Sequence, residues 1–182
     1  MQAILTSLPG VLILEPKVFG DERGFFLESF NTRTFTSLTG CTEPFVQDNH
    51  SRSASNVLRG LHYQLPPKAQ GKLVRVVAGE ILDVAVDLRR SSPTFGKWEA
   101  VRLSADNKRQ LWIPAGFAHG FLTLADTTEV VYKVTEYYAP ECDRCIRWDD
   151  PDLAICWGLQ NQPLLSAKDS GGVGFRQAEV FP

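Results

Sequence analysis

The chain contains three histidines, and their surroundings point to different kinds of chemistry. His62 lies in Arg59-Gly-Leu-His-Tyr-Gln64, between large apolar groups and close to a cation. Burial and a neighbouring positive charge both favour the neutral imidazole, which is the form that a general base needs. His62 is therefore a candidate proton acceptor, with a hydrogen-bonded core histidine as the competing interpretation. His50, in a polar segment that leaves a strand, is predicted to be solvated.

The third histidine ends the segment Pro114-Ala-Gly-Phe-Ala-His119, in which proline and glycine mark a turn into a strand. This Pro-x-Gly-x-x-His pattern resembles the second signature of cupin barrels, where the histidine points into the cavity. Metal-binding cupins take two further histidines from a His-x-His motif, whereas the corresponding segment here reads His62-Tyr63-Gln64. Two histidines alone hold a divalent transition ion poorly. We therefore expect no metal and no cofactor, which leaves the chemistry to acid, base and oxyanion groups.

The cysteines do not indicate a structural site. Cys142 and Cys145 form a C-x-x-C pair, with Cys156 further on. A zinc site would need a second pair, or two histidines at short spacing, and neither follows. Four cysteines in 182 residues are also too few for a disulfide scaffold, so we expect reduced, incidental thiols.

Composition limits the class of protein. The 182 residues are expected to form one domain over residues 1–182, with 43% hydrophobic and 22% charged residues, which excludes disorder and coiled coil. A net charge of -2 gives no basic footprint for nucleic acid. No apolar run approaches the ~18 residues of a membrane span. The first ten residues lack the features of a secretory signal, so we expect a cytoplasmic protein.

Short apolar runs separated by glycine and proline predict many strands and little helix. The predicted strands are Val11 to Leu14, Gly24 to Phe30, Phe45 to Asn49, Val57 to Gln64, Lys72 to Val77, Ile81 to Leu88, Trp98 to Leu103, Gln110 to Ile113, Gly120 to Leu124 and Glu129 to Tyr138. One short helix is predicted over Asn31 to Leu38 with Asn31 as N-cap. Gly79-Glu80 predicts a tight hairpin turn, and the tail from Asp149 is predicted to be mostly irregular. The predicted fold class is all-β, a barrel or sandwich.

Side-chain alternation places polar groups on faces that also carry apolar ones. Asp83 and Asp87 share a face with Ala85, and Gln47 and Asn49 are in phase with Phe45. Such a mixed face suits a ligand cavity inside a barrel, and it equally suits a wet outer face.

Seven motifs in order resemble the dTDP-4-dehydrorhamnose 3,5-epimerase family of dimeric, metal-free, jelly-roll cupins, from Gly10 to about Asp169. The motifs are Asp21-Glu-Arg-Gly-Phe-Phe-Leu-Glu28, Phe45-Val-Gln-Asp-Asn-His-Ser51, Arg59-Gly-Leu-His-Tyr-Gln64, Gln70-Gly-Lys-Leu-Val-Arg75, Ile113-Pro-Ala-Gly-Phe-Ala-His-Gly-Phe121, Tyr132-Lys133 and Leu165-Ser-Ala-Lys-Asp169. The resemblance implies epimerisation of carbons 3 and 5 of dTDP-4-dehydro-6-deoxy-D-glucose, in dTDP-L-rhamnose biosynthesis.

The resemblance also implies roles for individual residues. His62 would be the base with Asp169 as its partner, Lys72 would stabilise an enolate oxygen, and Tyr132 would be the acid. Tyr138 would stack on the thymine. The remaining substrate-binding residues implied are Arg23, Glu28, Gln47, Asn49, Arg59, Lys72, His119, Asp143 and Lys168. The implied assembly is a homodimer, in which the Val11 to Leu14 run could pair with another chain.

The chain departs from the family at two positions, with Asp143 where a glutamate is usual and Cys145 where a glycine is usual. In addition, Arg59 and His62 have opposite parity on a regular strand although both should face the cavity, so Gly60 is predicted to mark a β-bulge. The alternatives that remain open are a single-centre epimerase or ketoisomerase, a non-catalytic sugar-nucleotide binding barrel, and a metal-dependent cupin oxygenase.

Overall fold

A computed structural model describes all residues from Met1 to Pro182. The chain forms thirteen strands, two helices and one 3-10 turn (Phe175–Gln177). In chain order these are β1 (Gln2–Leu5), β2 (Leu12–Glu15), β3 (Val18–Asp21), β4 (Gly24–Leu27), α1 (Thr32–Thr39), β5 (Gln47–Ala54), β6 (Leu58–Gln64), β7 (Lys72–Ala78), β8 (Glu80–Asp87), β9 (Trp98–Ser104), β10 (Gln110–Ile113), β11 (Phe117–Thr123), β12 (Thr127–Val134), β13 (Asp143–Cys145) and α2 (Ala167–Ser170). No helix is long and apolar enough to cross a membrane.

Two antiparallel sheets face each other, which confirms the all-β prediction. The larger has six strands in the order β1-β2-β10-β7-β12-β5, and the smaller has five in the order β13-β6-β11-β8-β9. Strands β3 and β4 pair only with each other, as a separate hairpin. Apolar side chains from both sheets meet between them, including Val74 and Val130 from the larger sheet and Ala85 and Phe121 from the smaller.

Each sheet also buries part of its outer face. The smaller sheet packs Leu61, Val84 and Leu122 against residues of the C-terminal segment, including Trp157. The larger sheet packs Leu73 and Trp112 against Phe35 of α1. The residues that point between the two sheets form the interior, and a polar side chain there needs a partner or a function.

The short helix confirms the predicted cap. Asn31 has extended backbone angles, and its side chain accepts a hydrogen bond from the Thr34 N–H at 3.2 Å. Gly40 ends the helix in the left-handed region at φ 72°, a conformation that glycine adopts without steric cost. Phe35 then projects onto Trp112 with ring centroids 5.0 Å apart and an edge-on geometry.

The hairpin predicted at Gly79-Glu80 is wrong. The chain does turn there, with Gly79 at φ 75°, but β7 belongs to the larger sheet and β8 to the smaller. A tight turn between two apolar runs looks the same in the sequence whether the strands pair or cross from one sheet to the other.

Several strand limits also differ from those predicted. Strand β12 ends at Val134, so Tyr138, the predicted last residue of this strand, lies beyond it. Strand β5 continues through polar residues to Ala54 because it is an edge strand with one face in solvent. Strands β1, β3 and β13 were not predicted, and α2 and the 3-10 turn interrupt the otherwise irregular tail.

Candidate active site

His62 and His119 are direct neighbours on adjacent strands of the smaller sheet. His62 of β6 is the Cα partner of His119 in β11 and, on its other side, of Cys145 in β13. The residues that flank His62 along the strand, Leu61 and Tyr63, pack on the outer face of the sheet. His62 therefore points between the sheets, with 27% of its side chain exposed.

A β-bulge at Gly60 places Arg59 and His62 on the same face, as predicted. Arg59 is opposite Phe121 and His62 is opposite His119, so two residues of β6 face the single Gly120 of β11. The two strands approach closely here, since a Cβ on Gly60 would lie 2.5 Å from the Gly120 Cα. Gly60 also has φ 126°, which only glycine adopts readily.

Helix α2, in the C-terminal segment, places Asp169 beside His62. Its Oδ1 lies 2.7 Å from His62 Nε2, although the ring N–H direction does not align with that oxygen. The Gly60 N–H donates to Oδ1 at 2.9 Å, and the Ser166 hydroxyl donates to Oδ2 at 2.5 Å within the cap of α2. Burial raises the pKa of Asp169, but His62 and these two donors outweigh it and hold the pKa well below its usual range.

The imidazole of His62 is biased toward its neutral form. Burial is the largest influence and lowers the pKa of His62, Asp169 acts in the opposite direction, and the charges of Lys168 and Lys72 lower it further. The predicted cation effect is therefore present, but its source is these two lysines rather than Arg59. A neutral ring with a carboxylate beside it is suited to accept a proton.

Lys72 and Tyr132 approach this region from the larger sheet. The Lys72 ammonium donates to the backbone carbonyl oxygen of His62 at 3.3 Å, and its charge acts on the imidazole. Burial lowers the pKa of Lys72 to about 8, with Asp143 and Asp83 opposing the shift. Tyr132 packs against the interior core, and burial raises its pKa while the charges of Arg59 and Lys168 lower it. Tyr132 therefore stays a neutral phenol at neutral pH.

Other predicted binding residues form one hydrogen-bonded network. The Gln47 amide donates to Asn49 Oδ1 at 2.9 Å, and the Tyr138 N–H donates to Gln47 Oε1 at 3.1 Å. The Tyr138 hydroxyl donates to Asp143 Oδ2 at 3.2 Å, and that carboxylate also pairs with Lys168. The side chain of Tyr138 remains 56% exposed, so its ring offers a face on which a planar base could stack.

Arg59 is held from the side by β5. Its guanidinium donates to the Ser53 hydroxyl at 3.1 Å from Nε and at 3.0 Å from one terminal nitrogen. Its outer N–H groups are left for an anionic ligand. This geometry fits a diphosphate, whose oxygens match the planar fork of the guanidinium.

The structure does not bring Arg23 and Glu28 to this network. Arg23 lies in the β3–β4 hairpin and pairs with Asp21, and Glu28 accepts a hydrogen bond from Asn31 at 3.1 Å. Both residues are exposed, and neither forms a hydrogen bond or ion pair with the residues around His62.

The sequence reasoning missed Asp83 as a site residue. Its Oδ1 lies 2.6 Å from His119 Nε2, its side chain is fully buried, and its Oδ2 has no hydrogen-bond partner. Asp83 therefore fixes the ring of His119 much as Asp169 lies against His62. A partial signal was available, because Asp83 lies between apolar residues in the middle of a strand, with Ile81 and Leu82 before it and Val84 to Val86 after it.

One group of potential metal ligands lies within the site. A ring nitrogen of His62, the thiol of Cys145 and a carboxylate oxygen of Asp169 all lie within 4.8 Å of one another.

Comparison with known proteins gives a consistent result. The family model described as dTDP-4-dehydrorhamnose 3,5-epimerase matches residues 5–177. The dTDP-4-dehydrorhamnose 3,5-epimerase of Pseudomonas aeruginosa is 60% identical over 182 residues, covering all of both chains, and that of Shigella flexneri is 61% identical over 181 residues, 100% of this chain and 99% of the relative. The crystal structure of dTDP-6-deoxy-D-glucose-3,5-epimerase from Legionella pneumophila with dTDP-4-keto-L-rhamnose matches with a TM-score of 0.95 at 52% identity, covering 98% of this chain and 94% of the other.

Proposed function

This chain belongs to the dTDP-4-dehydrorhamnose 3,5-epimerase family, and from that premise we propose how its residues epimerise carbons 3 and 5 of dTDP-4-dehydro-6-deoxy-D-glucose. The substrate carries a ketone at carbon 4, which acidifies the hydrogens on both neighbouring carbons. Inversion at each centre needs a base on one face of the sugar, an acid on the other, and a positive group at the enolate oxygen.

His62 is the base. Its imidazole is neutral before the reaction and becomes positive when it accepts the proton. The Asp169 carboxylate beside it stabilises that imidazolium, and because Asp169 is itself held by Gly60 and Ser166, it does not need to reorganise during the step. The 2.7 Å approach of Asp169 to His62 is the observation that carries this assignment.

Lys72 and Tyr132 complete the reaction. The Lys72 ammonium, on the opposing sheet and bonded to the His62 carbonyl, stabilises the negative oxygen of the enolate. Tyr132 delivers a proton to the face of the sugar opposite His62, which inverts the centre. Its raised pKa keeps the phenol protonated for this step.

The nucleotide binds to the polar network next to His62, Lys72 and Tyr132. Tyr138 stacks on the thymine, Arg59 binds the diphosphate, and His119 contacts the sugar with its ring oriented by Asp83. Gln47, Asn49, Asp143 and Lys168 hydrogen-bond to the nucleotide and sugar. The shorter Asp143 already binds both Tyr138 and Lys168, so it acts by positioning these two side chains.

Arg23 and Glu28 complete the site from a second copy of the chain. The hairpin that carries Arg23 exposes Phe19, Phe25 and Phe26 at 53%, 61% and 70%, and it joins neither sheet. Three exposed aromatic side chains on one hairpin form an apolar surface, which favours burial against a second copy of the chain. The single domain over residues 1–182, the homodimer and the cytoplasmic location stay predictions. The Val11 to Leu14 run cannot provide the dimer contact by strand pairing, because β2 already pairs with β1 and β10 of its own chain.

Proton NMR in heavy water tests the activity. With the 4-keto sugar nucleotide as substrate, solvent deuterium should enter carbons 3 and 5 together with formation of dTDP-4-dehydro-L-rhamnose. Deuterium at one carbon only would identify a single-centre epimerase, and a product with the ketone moved to another carbon would identify a ketoisomerase.

A further inference from the structure

Cys145 brings a thiol into the reaction centre, where the proposed chemistry gives it nothing to do. It is the Cα partner of His62 on the edge strand β13, so backbone hydrogen bonds fix its position beside the imidazole. The only hydrogen bond of its sulfur is a long one, 3.7 Å, to the carbonyl of Ile146. The Asp169 carboxylate lies 2.7 Å from Nε2 of the same ring.

The three side chains together offer a set of ligands that suits a transition metal. Zn²⁺ binds thiolate at ≈ 2.3 Å and imidazole or carboxylate at roughly 2.0 to 2.2 Å, so ligand atoms around it lie about 3 to 4 Å apart. Here the three candidate atoms lie within 4.8 Å of one another. Adjustments of about 1 Å in side-chain position would bring them to bonding distance.

A second observation supports ligation at this point. The buried Nε2 of His62 has no aligned hydrogen bond although Asp169 lies close to it. A ring nitrogen in this state is available to a metal. Asp169 accepts hydrogen bonds from Gly60 and Ser166, and these would orient the carboxylate when it binds an ion.

The charges nearby set the strength of binding. Lys72 and Lys168 both act on His62 and oppose a cation there, whereas Asp169 favours one. Burial raises the pKa of the Cys145 thiol to about 11, so an ion must also displace the thiol proton. A divalent ion would therefore bind more weakly than in a structural zinc site, which has no such lysines. It would be removable by a chelator.

We propose that His62, Cys145 and Asp169 form a binding site for borderline-soft divalent cations such as Zn²⁺, and that an ion bound there blocks epimerisation. On binding, the thiol of Cys145 releases its proton to solvent, the ring proton of His62 moves from Nε2 to Nδ1 by exchange with solvent, and sulfur–metal and Nε2–metal bonds form. The inhibition rests on the proposed role of His62 as base: the ion occupies Nε2 while Nδ1 carries the ring proton, so neither nitrogen keeps a lone pair that could accept the substrate proton. The binding does not depend on that role.

Titration of the purified chain with Co²⁺ tests the site directly. A thiolate ligand gives Co²⁺ a charge-transfer absorption, which should saturate at one equivalent and disappear when Zn²⁺ displaces the cobalt. Cys145→Ser and Cys145→Ala should both lack this absorption. Cys41→Ser is the matched control, because Cys41 is also half-buried but lies outside the site, and it should behave like the unaltered chain.

The same proteins are then assayed with Zn²⁺ and after addition of EDTA. The unaltered chain and Cys41→Ser should lose activity with Zn²⁺ and recover it with EDTA. The Cys145 variants should need at least about tenfold more Zn²⁺ for the same inhibition, because loss of even a residue that only hydrogen-bonds to a metal ligand lowers metal affinity about tenfold or more. Absence of the charge-transfer absorption in the unaltered chain, or its persistence in both Cys145 variants, would overturn the site. Saturated absorption with full activity would leave the site standing, but it would overturn the inhibition and contradict His62 as base.

Discussion

At His62, burial and the Asp169 carboxylate act on the same imidazole in opposite directions. Burial lowers the pKa of the ring and keeps it neutral, while the nearby carboxylate favours the charged form that proton abstraction produces. The residue is therefore ready to accept a proton and is stabilised after accepting it. Tyr132, on the other sheet, has no adjacent carboxylate in hydrogen-bond contact and remains an acid.

These different roles predict different failures on substitution. His62→Ala should abolish hydrogen exchange at both carbons, with a rate loss of about 10² to 10⁴, because no enolate forms without the base. Tyr132→Phe keeps the base and Lys72, so deuterium should still enter from solvent and return to the original face, while net inversion falls much further. Deuterium wash-in and product formation should be measured together for each variant. Normal inversion by Tyr132→Phe, or normal exchange by His62→Ala, would show the roles to be wrongly assigned.

The Lys72 ammonium predicts the alkaline side of the pH profile. With a pKa of about 8, Lys72 is charged at pH 7 and loses its charge as the pH rises through 8, so kcat/KM should fall there. The acid side should lie below pH 6.5, the ordinary value for histidine, because the pKa of His62 is lowered. Lys72→Arg carries a group that stays charged, so its activity, although lower, should not fall above pH 8.

The control for this profile is its acid side, which should be unchanged in Lys72→Arg because His62 is retained. Tyr132 does not explain the alkaline fall, since its pKa is raised. An identical alkaline fall in the unaltered chain and in Lys72→Arg would exclude Lys72 as its source.

At the scale of elements, the bulge in β6 decides whether Arg59 and His62 reach the same cavity. Gly60→Ala would place a Cβ 2.5 Å from the Gly120 Cα and 2.8 Å from the His119 carbonyl oxygen, both backbone atoms that cannot rotate away. We expect a loss of about 1 to 3 kcal/mol or more in the free energy of unfolding, together with loss of activity. Urea unfolding followed by circular dichroism measures the first.

Gly24→Ala is the matched control for Gly60→Ala. Gly24 has φ 128°, close to the 126° of Gly60, but nothing lies within 4 Å of an added Cβ. It therefore carries the same backbone strain without the steric overlap, and its loss of stability should be clearly smaller. Equal losses in the two variants would assign the effect to backbone strain alone.

At the scale of the whole molecule, the two sheets carry the residues that we propose as base and as acid. The smaller sheet carries His62, His119 and Asp83, helix α2 adds Asp169, and the larger sheet carries Lys72 and Tyr132. A sugar between the sheets would therefore meet the base on one side and the acid on the other, which is the arrangement that inversion requires. The exposed hairpin and its Arg23 are the part of the chain that this arrangement leaves unused.

The proposed homodimer predicts rescue between two inactive variants. If Arg23 acts in the site of the partner, a mixed dimer of Arg23→Ala and His62→Ala contains one site with both residues intact. Activity after subunit exchange should then rise well above that of either variant alone. If Arg23 acts within its own chain, neither site is intact and mixing restores nothing. Light scattering that gives about the mass of one chain, 20.3 kDa, at micromolar concentration would contradict the dimer itself.

Local patterns in the sequence were sufficient to predict much of this molecule. Alternation of apolar residues located most of the strands, Asn31 identified the helix start, and conflicting parity between Arg59 and His62 revealed the bulge at Gly60. These features depend on near neighbours in the chain, which the sequence displays directly. The linked motifs likewise identified the family and its activity.

Contacts between distant residues were decided only by the tertiary structure. The turn at Gly79 joins two sheets rather than two paired strands, and Asp83 lies against His119. Cys145 lies beside His62 because it belongs to β13, a strand that was not predicted. Each of these depends on which strand pairs with which and in what register. That choice is made by packing of the whole chain, because a single strand presents the same alternation to every partner that it could have.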